Sequence, residues 1–284
     1  MVVLHEDAAV GQLALDAAFA ELAHVERAMS IYLPETDLSR LNREGVLRDA
    51  DPYLIRVLHE SYAMAERSGG AFDVTVQPLW TLYAAAQKFK ALPSDAEIDE
   101  TRRKVDYRGV QISGRTVRLR DPGMAVTLNG IAQGFAADRA MEAIKRCGIA
   151  HALVNTGEIA SLGNKAAGRP WTVGIQHPRE PDAYLGSAKL DSRCISTSGD
   201  YETAFSTDKA YNHIFEPRTG RSPMSFSSVT VVAANATDAD ALSTAIFVLG
   251  PEKGMDLARE FAADVLLVAK DGRQHATPNF PWNS

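Results

Sequence analysis

The sequence is poor in the features that mark disulfide scaffolds, zinc proteins and membrane proteins. It has two cysteines in 284 residues, Cys147 and Cys194, too few and too widely spaced for a disulfide framework or a zinc site. No apolar run approaches the roughly 20 residues of a membrane span. Internal repeats and low-complexity linkers are also missing. What remains is ordinary globular composition, with 45% hydrophobic and 23% charged residues.

A long basic run of the kind that binds nucleic acid is missing as well. The formal net charge is -6, which argues against nucleic acid as a partner. A small anionic ligand stays possible, because a metal ion or local N–H groups can supply positive charge. The opening MVVLHEDAAV lacks the cationic start and apolar core of a secretion signal. It begins abruptly on strand-like Val2, Val3 and Leu4, so we expect that a preceding segment has been removed.

Apolar periodicity predicts helices first and strands mixed with helices later. Helices are predicted over 10–29, from Pro52 to Gly69-Gly70, over 78–90, over 92–105 with Ser94 as N-cap, and near 130–147, 238–249 and 251–262. Strands are predicted at the start and at 109–113, 116–119, 151–155, 171–176, 185–191, 194–198, 227–233 and 264–269. The segment PETDLSRLN (34–42) is predicted to be a polar loop. This order favours an α+β fold, in one compact domain over 1–284, rather than a doubly wound parallel sheet.

The segment NATDADALSTAIFVLG (235–250) places several side-chain oxygens at the mouth of an apolar helix. Thr237 and Asp240 have the spacing of a capping box, which is the structural interpretation. Asp240 and Thr244 are spaced i,i+4 and share one helix face, where a carboxylate and a hydroxyl offer hard oxygen ligands for Mg²⁺. Ser243 points about 100° away around the helix and is the weaker candidate. The segment alone leaves capping and metal binding both open.

A second segment, TLNGIAQGFAADRAMEAI (127–144), sets Gly130 and Gly134 at the start of an alanine-rich helix. Glycines there let a ligand approach the backbone, and free N–H groups at a helix N-terminus bind phosphate. Close packing of the helix against a sheet would select the same small residues. The segment does not follow the dinucleotide-binding pattern of three spaced glycines.

Two further segments carry polar residues at turns. In RSGGAFDVTVQPLW (67–80), a glycine turn displays Ala71, Phe72 and Asp73, which could meet a heterocycle and its polar edge or could form a helix C-cap and a core contact. In YNHIFEPRTGRSP (211–223), His213 is predicted on a short strand that leads into a turn. Histidines are often structural or solvated, but one at such a corner is well placed to act as a base.

These segments, in this order, resemble the ApbE family of FAD:protein FMN transferases over nearly the whole chain. The blocks that carry the resemblance are MSIYLPETDLSRLN (29–42), GGAFDVTVQPLW, LNGIAQGFAADR, LVNTGEIASLG (153–163), ISTSGDYE (195–202), NHIFEPRTG and DADALSTA. The resemblance implies an ApbE-like fold of mixed or antiparallel sheets with packed helices. It also implies an enzyme that cuts FAD at the pyrophosphate, with Mg²⁺, and passes FMN to a threonine or serine hydroxyl of another protein while releasing AMP.

The resemblance also assigns roles to individual residues. The metal ligands it implies are the Gly130 carbonyl and the side chains of Asp240 and Thr244, so the helix start would both be capped and bind metal. His213 matches the histidine proposed to take the proton from the acceptor hydroxyl. Because Mg²⁺ would neutralise and orient the pyrophosphate, activation of this hydroxyl is the task that remains for a base. The residues at positions that contact FAD are Tyr32, Ala71, Phe72, Asp73, Thr127, Gln133 and Ile214.

Three differences separate this sequence from the common family pattern. Thr127 and Gln133 stand where many members have Asp and Lys, which removes one charge of each sign and an ionic contact to phosphate. The Met-Gly-Thr strand that usually opens the domain, with its flavin-contacting methionine, has no clear counterpart. These differences leave two alternatives, an FAD-binding or storage protein without transferase activity and a hydrolase that yields FMN and AMP.

The resemblance implies where the protein works and on what. Family members act outside the cytoplasmic membrane, so we expect a periplasmic or membrane-anchored enzyme with no membrane span of its own. The acceptors it implies are flavin-carrying subunits of sodium- or electron-translocating reductases and the membrane regulator of nitrous oxide respiration.

Overall fold

The computed structural model describes residues 1–283, except for the side chain of Ala167. Within them lie eight α-helices, which are α1 Ala8–Met29, α2 Asp37–Glu44, α3 Pro52–Arg67, α4 Gln77–Gln87, α5 Asp95–Arg102, α6 Ala132–Arg146, α7 Ala236–Leu249 and α8 Pro251–Glu260. The twelve strands are β1 Val2–Leu4, β2 Val46–Leu47, β3 Val110–Ser113, β4 Thr116–Leu119, β5 His151–Asn155, β6 Ile159–Leu162, β7 Trp171–Gln176, β8 Tyr184–Leu190, β9 Cys194–Gly199, β10 Phe226–Ala233, β11 Asp264–Ala269 and β12 Gln274–Ala276.

The strands form three antiparallel sheets. The largest has seven strands in the order β1-β5-β6-β9-β10-β11-β12, the second has the order β2-β4-β3, and β7 and β8 form a two-stranded ribbon. Each pairing of named strands in the described chain is antiparallel. The α+β prediction, with helices packed on such sheets in one compact unit, is therefore confirmed. That residues 1–284 form a single domain stays a prediction.

Strand β10 lies inside the main sheet, between β9 and β11, and is buried along its whole length. Val229 and Val231 face the large helical core that contains Phe247 of α7, whereas Val232 faces a second core built with the β7–β8 ribbon. Both faces of the strand are thus covered, which explains its continuous apolar run rather than an alternating one. The sheet holds α7 on one side and the ribbon on the other.

Helix ends follow the sequence signals in most places. Ser94 and Glu97 form a capping box at α5, and Pro52 opens α3 behind the Asp51 N-cap. Gly69 and Gly70 follow α3 with φ of 60° and 82°, a backbone region that favours glycine.

The polar loop predicted at 34–42 is wrong, because residues 37–44 form α2. Thr36 accepts a hydrogen bond from the Ser39 amide and caps this helix, and Gly45 ends it with φ of 72°. Its apolar face is narrow, with Leu38 and Leu41 buried, so the segment resembled a loop in composition. Strand β6 was also not predicted, since its small residues in IASL carry little β propensity.

None of the helices in the described chain combines the length and the apolarity that crossing a bilayer requires.

Candidate functional site

Helix α7 brings its side-chain oxygens toward the main sheet, but Thr237 does not cap it. The N-cap is Asn235, whose Oδ1 accepts from the Asp238 amide at 2.7 Å. Thr237 instead donates its hydroxyl to Asp138 of α6 at 2.6 Å. The capping-box prediction for Thr237 and Asp240 is therefore wrong, and Asp240 is free for another role.

Asp240 is a buried carboxylate with few hydrogen bonds and no counter-charge among the described residues. It is 4% exposed and accepts one hydrogen bond, from the Gly134 amide to Oδ2 at 3.0 Å. No lysine, arginine or histidine in the described chain pairs with it. Burial, followed by the neighbouring Glu158 carboxylate, raises its pKa well above the usual range. A carboxylate in this state favours a cation beside it.

Gly130 and Thr244 come together one turn further along α7. A Cβ atom at position 130 would lie 3.0 Å from Thr244 Oγ1 and 3.5 Å from Phe72 Cε2. The absence of a side chain at Gly130 is therefore what lets this backbone approach the Thr244 hydroxyl. The three residues that the resemblance implied as metal ligands thus lie along one face of α7 and the segment before α6.

Gly134 has a packing role. A Cβ atom there would lie 2.2 Å from the carbonyl oxygen of Ala236 and 2.8 Å from Cβ of Asp240, which real Cβ atoms do not do. The glycine lets α6 and α7 approach closely, so position 134 serves close packing against another helix, where the sequence suggested packing against a sheet.

A group of hydroxyls borders the same face. Ser198 of β9 lies 2.7 Å from Ser243 Oγ and 3.1 Å from Thr244 Oγ1, and Ser196 Oγ lies 3.3 Å from Ser243 Oγ. Ser243 donates to the Asp240 carbonyl at 2.9 Å. Ser243 is therefore engaged with β9 and with its own helix, which agrees with its being the weaker ligand candidate.

Glu158 is a site residue that sequence reasoning missed. It is 8% exposed, and its Oε2 atom has no hydrogen-bond partner among the described residues. Burial raises its pKa to about 7, an effect that the nearby Ser196 hydroxyl and Thr197 amide oppose. The available signal was an acidic residue immediately before IASL, a strand of small and apolar residues.

These donors fit a hard divalent cation. The set that the resemblance implies comprises one carboxylate, one hydroxyl and one backbone carbonyl, all oxygen, and the Glu158 carboxyl, with an unpartnered Oε2 atom, is close enough to raise the pKa of Asp240. No group of three or more His, Cys, Asp or Glu residues suited to a metal occurs in the part of the chain that the structure describes. The implied donors would not form such a group, because only one of them, Asp240, is a His, Cys, Asp or Glu residue.

Tyr32 and Thr127, two of the residues that the resemblance implies as FAD contacts, lie next to Gly130. Tyr32 is 73% exposed, and its hydroxyl accepts from Asn129 Nδ2 at 3.3 Å, next to Gly130. Asn129 in turn donates its amide to Thr127 Oγ1 at 3.3 Å. Tyr32 and Thr127 thus flank the glycine, and the exposed ring has one face available for stacking.

The Ala71-Phe72-Asp73 segment is buried, with exposures of 2%, 3% and 8%. Asp73 accepts from the amide and hydroxyl of Thr75 and from the Tyr107 amide at 2.8, 2.5 and 3.0 Å. Its carboxylate caps a 3₁₀ turn and is fully used in local structure. Phe72, beside Gly130, is the member of the trio that reaches the proposed metal face.

Gln133 is exposed in the first turn of α6 and contacts the β5–β6 turn. Its side-chain Nε2 donates to the Thr156 backbone carbonyl at 3.1 Å, and the backbone carbonyl of Gln133 accepts from Thr156 Oγ1 at 3.0 Å. The side chain thus holds the segment that leads into Glu158. Gln133 carries no charge, so this contact is a neutral hydrogen bond at a position where many family members have a lysine.

His213 lies at a bend, and the predicted strand is wrong. Isolated bridges pair Asn212 with Ala204 and Glu216 with Arg221, and His213 belongs to neither. The His213 amide donates to the Thr203 carbonyl at 3.0 Å, and Nδ1 lies 3.3 Å from the same oxygen, which leaves Nε2 free. Burial lowers its pKa, so the ring is neutral and basic at physiological pH.

Ile214, the next residue, is 6% exposed, and its amide donates to Asn212 Oδ1 at 3.0 Å. No hydrogen bond in the described chain joins His213 to Asp240 or Thr244. The two regions are linked through β9, because Ser198 contacts Thr244 and the segment after β9 carries Thr203.

This arrangement can be compared with known proteins. The sequence model of the family described as "ApbE family" matches residues 2–267. The chain belongs to the ApbE family. Among ApbE relatives, the FAD:protein FMN transferase of Treponema pallidum is 33% identical over 288 residues, covering 93% of this chain and 79% of the relative. The Salmonella typhimurium enzyme of the same name is 30% identical over 262 residues, with 88% and 75% covered.

Solved structures of ApbE proteins agree with the fold. The ApbE protein of Thermotoga maritima superposes with a TM-score of 0.88 at 28% identity, covering 98% of this chain and 93% of that one. The flavin transferase ApbE of Vibrio cholerae gives 0.81 at 26% identity, with 98% and 91% covered. This ApbE protein is therefore a transferase enzyme.

Proposed function

We propose that the protein transfers FMN from FAD to a threonine or serine hydroxyl of an acceptor protein, in a Mg²⁺-dependent reaction that releases AMP. The observation that carries the metal dependence is the uncompensated Asp240 carboxylate, aligned with Thr244 and the Gly130 backbone. When bound there, Mg²⁺ would neutralise and orient the pyrophosphate.

The residues of this chain would do the rest. The Nε2 atom of His213 would take the proton of the acceptor hydroxyl, whose oxygen attacks the phosphorus of the FMN half. A new P–O bond to the acceptor forms as the bond between that phosphorus and the bridging oxygen breaks, and AMP leaves with the bridging oxygen. Tyr32 would lie against the flavin ring, with Phe72, Thr127, Gln133 and Ile214 as further contacts.

The test is incubation of the purified protein with FAD, Mg²⁺ and a flavin-carrying reductase subunit, followed by intact-mass analysis of the acceptor. One added FMN on a single threonine or serine, lost in Asp240→Asn and in metal-free protein, supports the proposal. AMP release without acceptor labelling, across several acceptors, would identify an FAD hydrolase instead.

The acceptors and the place of action follow from the family resemblance. We infer flavin-carrying redox subunits or a membrane redox regulator as acceptors, in the periplasm or at its membrane surface. Fractionation of cells that produce the native gene product, with the transferase activity measured in each fraction, tests the location. Activity confined to the cytoplasm would contradict it.

A further inference from the structure

Strand β7 has a free edge next to a cavity that borders the proposed site. The cavity, of about 200 Å³, lies between residues 173–176 of β7, residues 195–197 of β9, Gly157 and Ile159 at the start of β6, and the pair Tyr201 and Glu202. Glu202 is followed by Thr203, whose carbonyl accepts from His213. The cavity therefore opens beside the segment that holds the proposed base.

The register shows which groups of β7 face outward. On β8, the Lys189 amide donates to the Pro281 carbonyl and the Ser187 carbonyl accepts from the Asn283 amide, both at 2.8 Å, so these two residues bond away from β7. They stand opposite Thr172 and Gly174. In an antiparallel pair, both residues of such a position direct their backbone groups outward.

The N–H and C=O groups of Thr172 and Gly174 therefore form a row on the open edge. None of the hydrogen bonds found among the described residues uses these four groups. Across the cavity, β6 pairs with β9 only at Ile195 and Cys194, so the residues of β9 that follow have no strand partner on this side. An extended main chain is the ligand that satisfies unpaired groups of this kind.

The charge of the cavity favours a protein segment over FAD. The lining residues include the Glu202 carboxylate and no lysine, arginine or histidine. A pyrophosphate placed there would meet a like charge without compensation, whereas a neutral peptide backbone would not. Main-chain recognition also suits a substrate that is itself a protein.

We propose that an extended segment of the acceptor protein adds as a strand to the free edge of β7, through Thr172 and Gly174, and so delivers its hydroxyl past Glu202 to His213. This docking rests on the proposed function, since it supplies the acceptor for the same transfer.

The decisive variant removes one outward donor. Thr172→Pro deletes the Thr172 N–H without removing a β7–β8 hydrogen bond, because proline lacks that donor. Thr172→Ala is the side-chain control. Gln274→Pro is the edge-strand control, since Ala269 and Val265 of β11 bond to residues 273 and 277 and leave Gln274 facing outward on β12.

The measurements are FMN transfer to a purified flavin-carrying reductase subunit and FAD binding by fluorescence titration. Thr172→Pro is expected to raise KM for the subunit about five- to tenfold, the loss that one or two main-chain hydrogen bonds produce, with unchanged FAD affinity. The two controls should match the unaltered protein. Equal KM values for Thr172→Pro and Thr172→Ala would overturn the docking, and so would loss of FAD affinity in Thr172→Pro alone, which would assign the cavity to FAD.

Hydrogen exchange of the unaltered protein decides the matter even if the proline variant is unfolded. The Thr172 and Gly174 amides should exchange more slowly when the subunit is added and should be unaffected by FAD alone. Unchanged exchange at both amides with a subunit that accepts FMN overturns the docking and leaves the transferase intact. Absence of FMN transfer by the unaltered protein to every subunit tried would instead contradict the proposed function, and the docking with it.

Discussion

The Gly134 amide donates to Asp240 Oδ2 at 3.0 Å, and the two residues belong to different helices. This bond fixes the carboxylate relative to the start of α6, where the Gly130 backbone approaches Thr244. The contact is possible because position 134 has no side chain, so helix packing and the geometry of the proposed metal site depend on the same glycine.

Replacement of Gly134 by alanine should therefore destabilise the protein. The added methyl group would overlap the Ala236 carbonyl, which belongs to the backbone and cannot rotate away. We expect a loss of about 1–3 kcal/mol in the free energy of unfolding, measured by denaturant titration, together with weaker metal binding.

Gly11→Ala is the matched control within α1. A Cβ atom there would meet Val3 Cγ2 at 3.7 Å, an ordinary contact, so the higher helix propensity of alanine should stabilise the protein by up to about 1 kcal/mol. Equal effects of the two substitutions would show that α6 and α7 can separate without cost.

The pH dependence of transfer should report His213. Burial lowers its pKa, so the neutral form that accepts a proton persists below the ordinary histidine value of about 6.5. The kcat/KM for the acceptor should rise with pH through an inflection below that value and be flat at neutral pH. His213→Ala should reduce transfer by about 100-fold or more and should remove the inflection.

The contribution of His213 to the stability of the fold should also increase with pH. Protonation of a histidine whose folded-state pKa is lowered opposes folding, so its contribution is present above the unfolded pKa and is lost as pH falls through the folded one. An inflection above 6.5, or one that survives in His213→Ala, would mean that another group limits the rate.

The fold was predictable from sequence where local signals and burial agree. The strands 116–119, 151–155, 171–176 and 264–269 and the N-cap at Ser94 needed no information beyond the sequence. Helix α2 and strand β6 were missed because short elements of polar or small residues are stabilised by their neighbours rather than by their own propensity.

The site was predictable as a set of segments and less well as individual contacts. The i,i+4 spacing placed Asp240 and Thr244 on one face, but it could not show that Asp138 takes the Thr237 hydroxyl, since α6 lies almost 100 residues earlier. Likewise, the Thr75 contact of Asp73 is local, but nothing near Asp73 in the sequence shows that the Tyr107 amide, 34 residues later, also donates to it. Long-range partners decide which polar groups stay free.

Glu158→Gln should separate two effects of the second buried carboxylate. Without metal, and at a pH above the Glu158 pKa of about 7, the Glu158 and Asp240 charges repel each other, so removal of one should raise Tm, by about 2–4 °C for each ~1 kcal/mol of repulsion. With Mg²⁺, the same loss of negative charge should weaken binding and shrink the metal-induced rise in Tm. Thermal unfolding with and without Mg²⁺ measures both. If the variant binds Mg²⁺ as tightly as the unaltered protein, the Glu158 charge does not contribute to Mg²⁺ binding.

The segment that carries Thr203 and His213 begins at Asp200, which is fully buried between two cations. Arg179 donates to both carboxylate oxygens at 2.7 and 2.8 Å, and Lys270 of the β11–β12 turn donates to Oδ2. Asp200→Asn leaves Arg179 and Lys270 without their counter-ion, so we expect a loss of about 3 kcal/mol or more in the free energy of unfolding.

Lys270→Met should cost much less, because Lys270 is 22% exposed and the Arg179 pair survives it. Urea unfolding compares the two, and hydrogen exchange at the His213 amide, which donates to Thr203, shows whether the segment loosens. If the segment depends on Asp200, this amide exchanges faster in Asp200→Asn than in Lys270→Met at equal distance from the unfolding midpoint. Equal exchange would mean that the contacts of Phe205 and Phe215 with Tyr83 suffice to hold it.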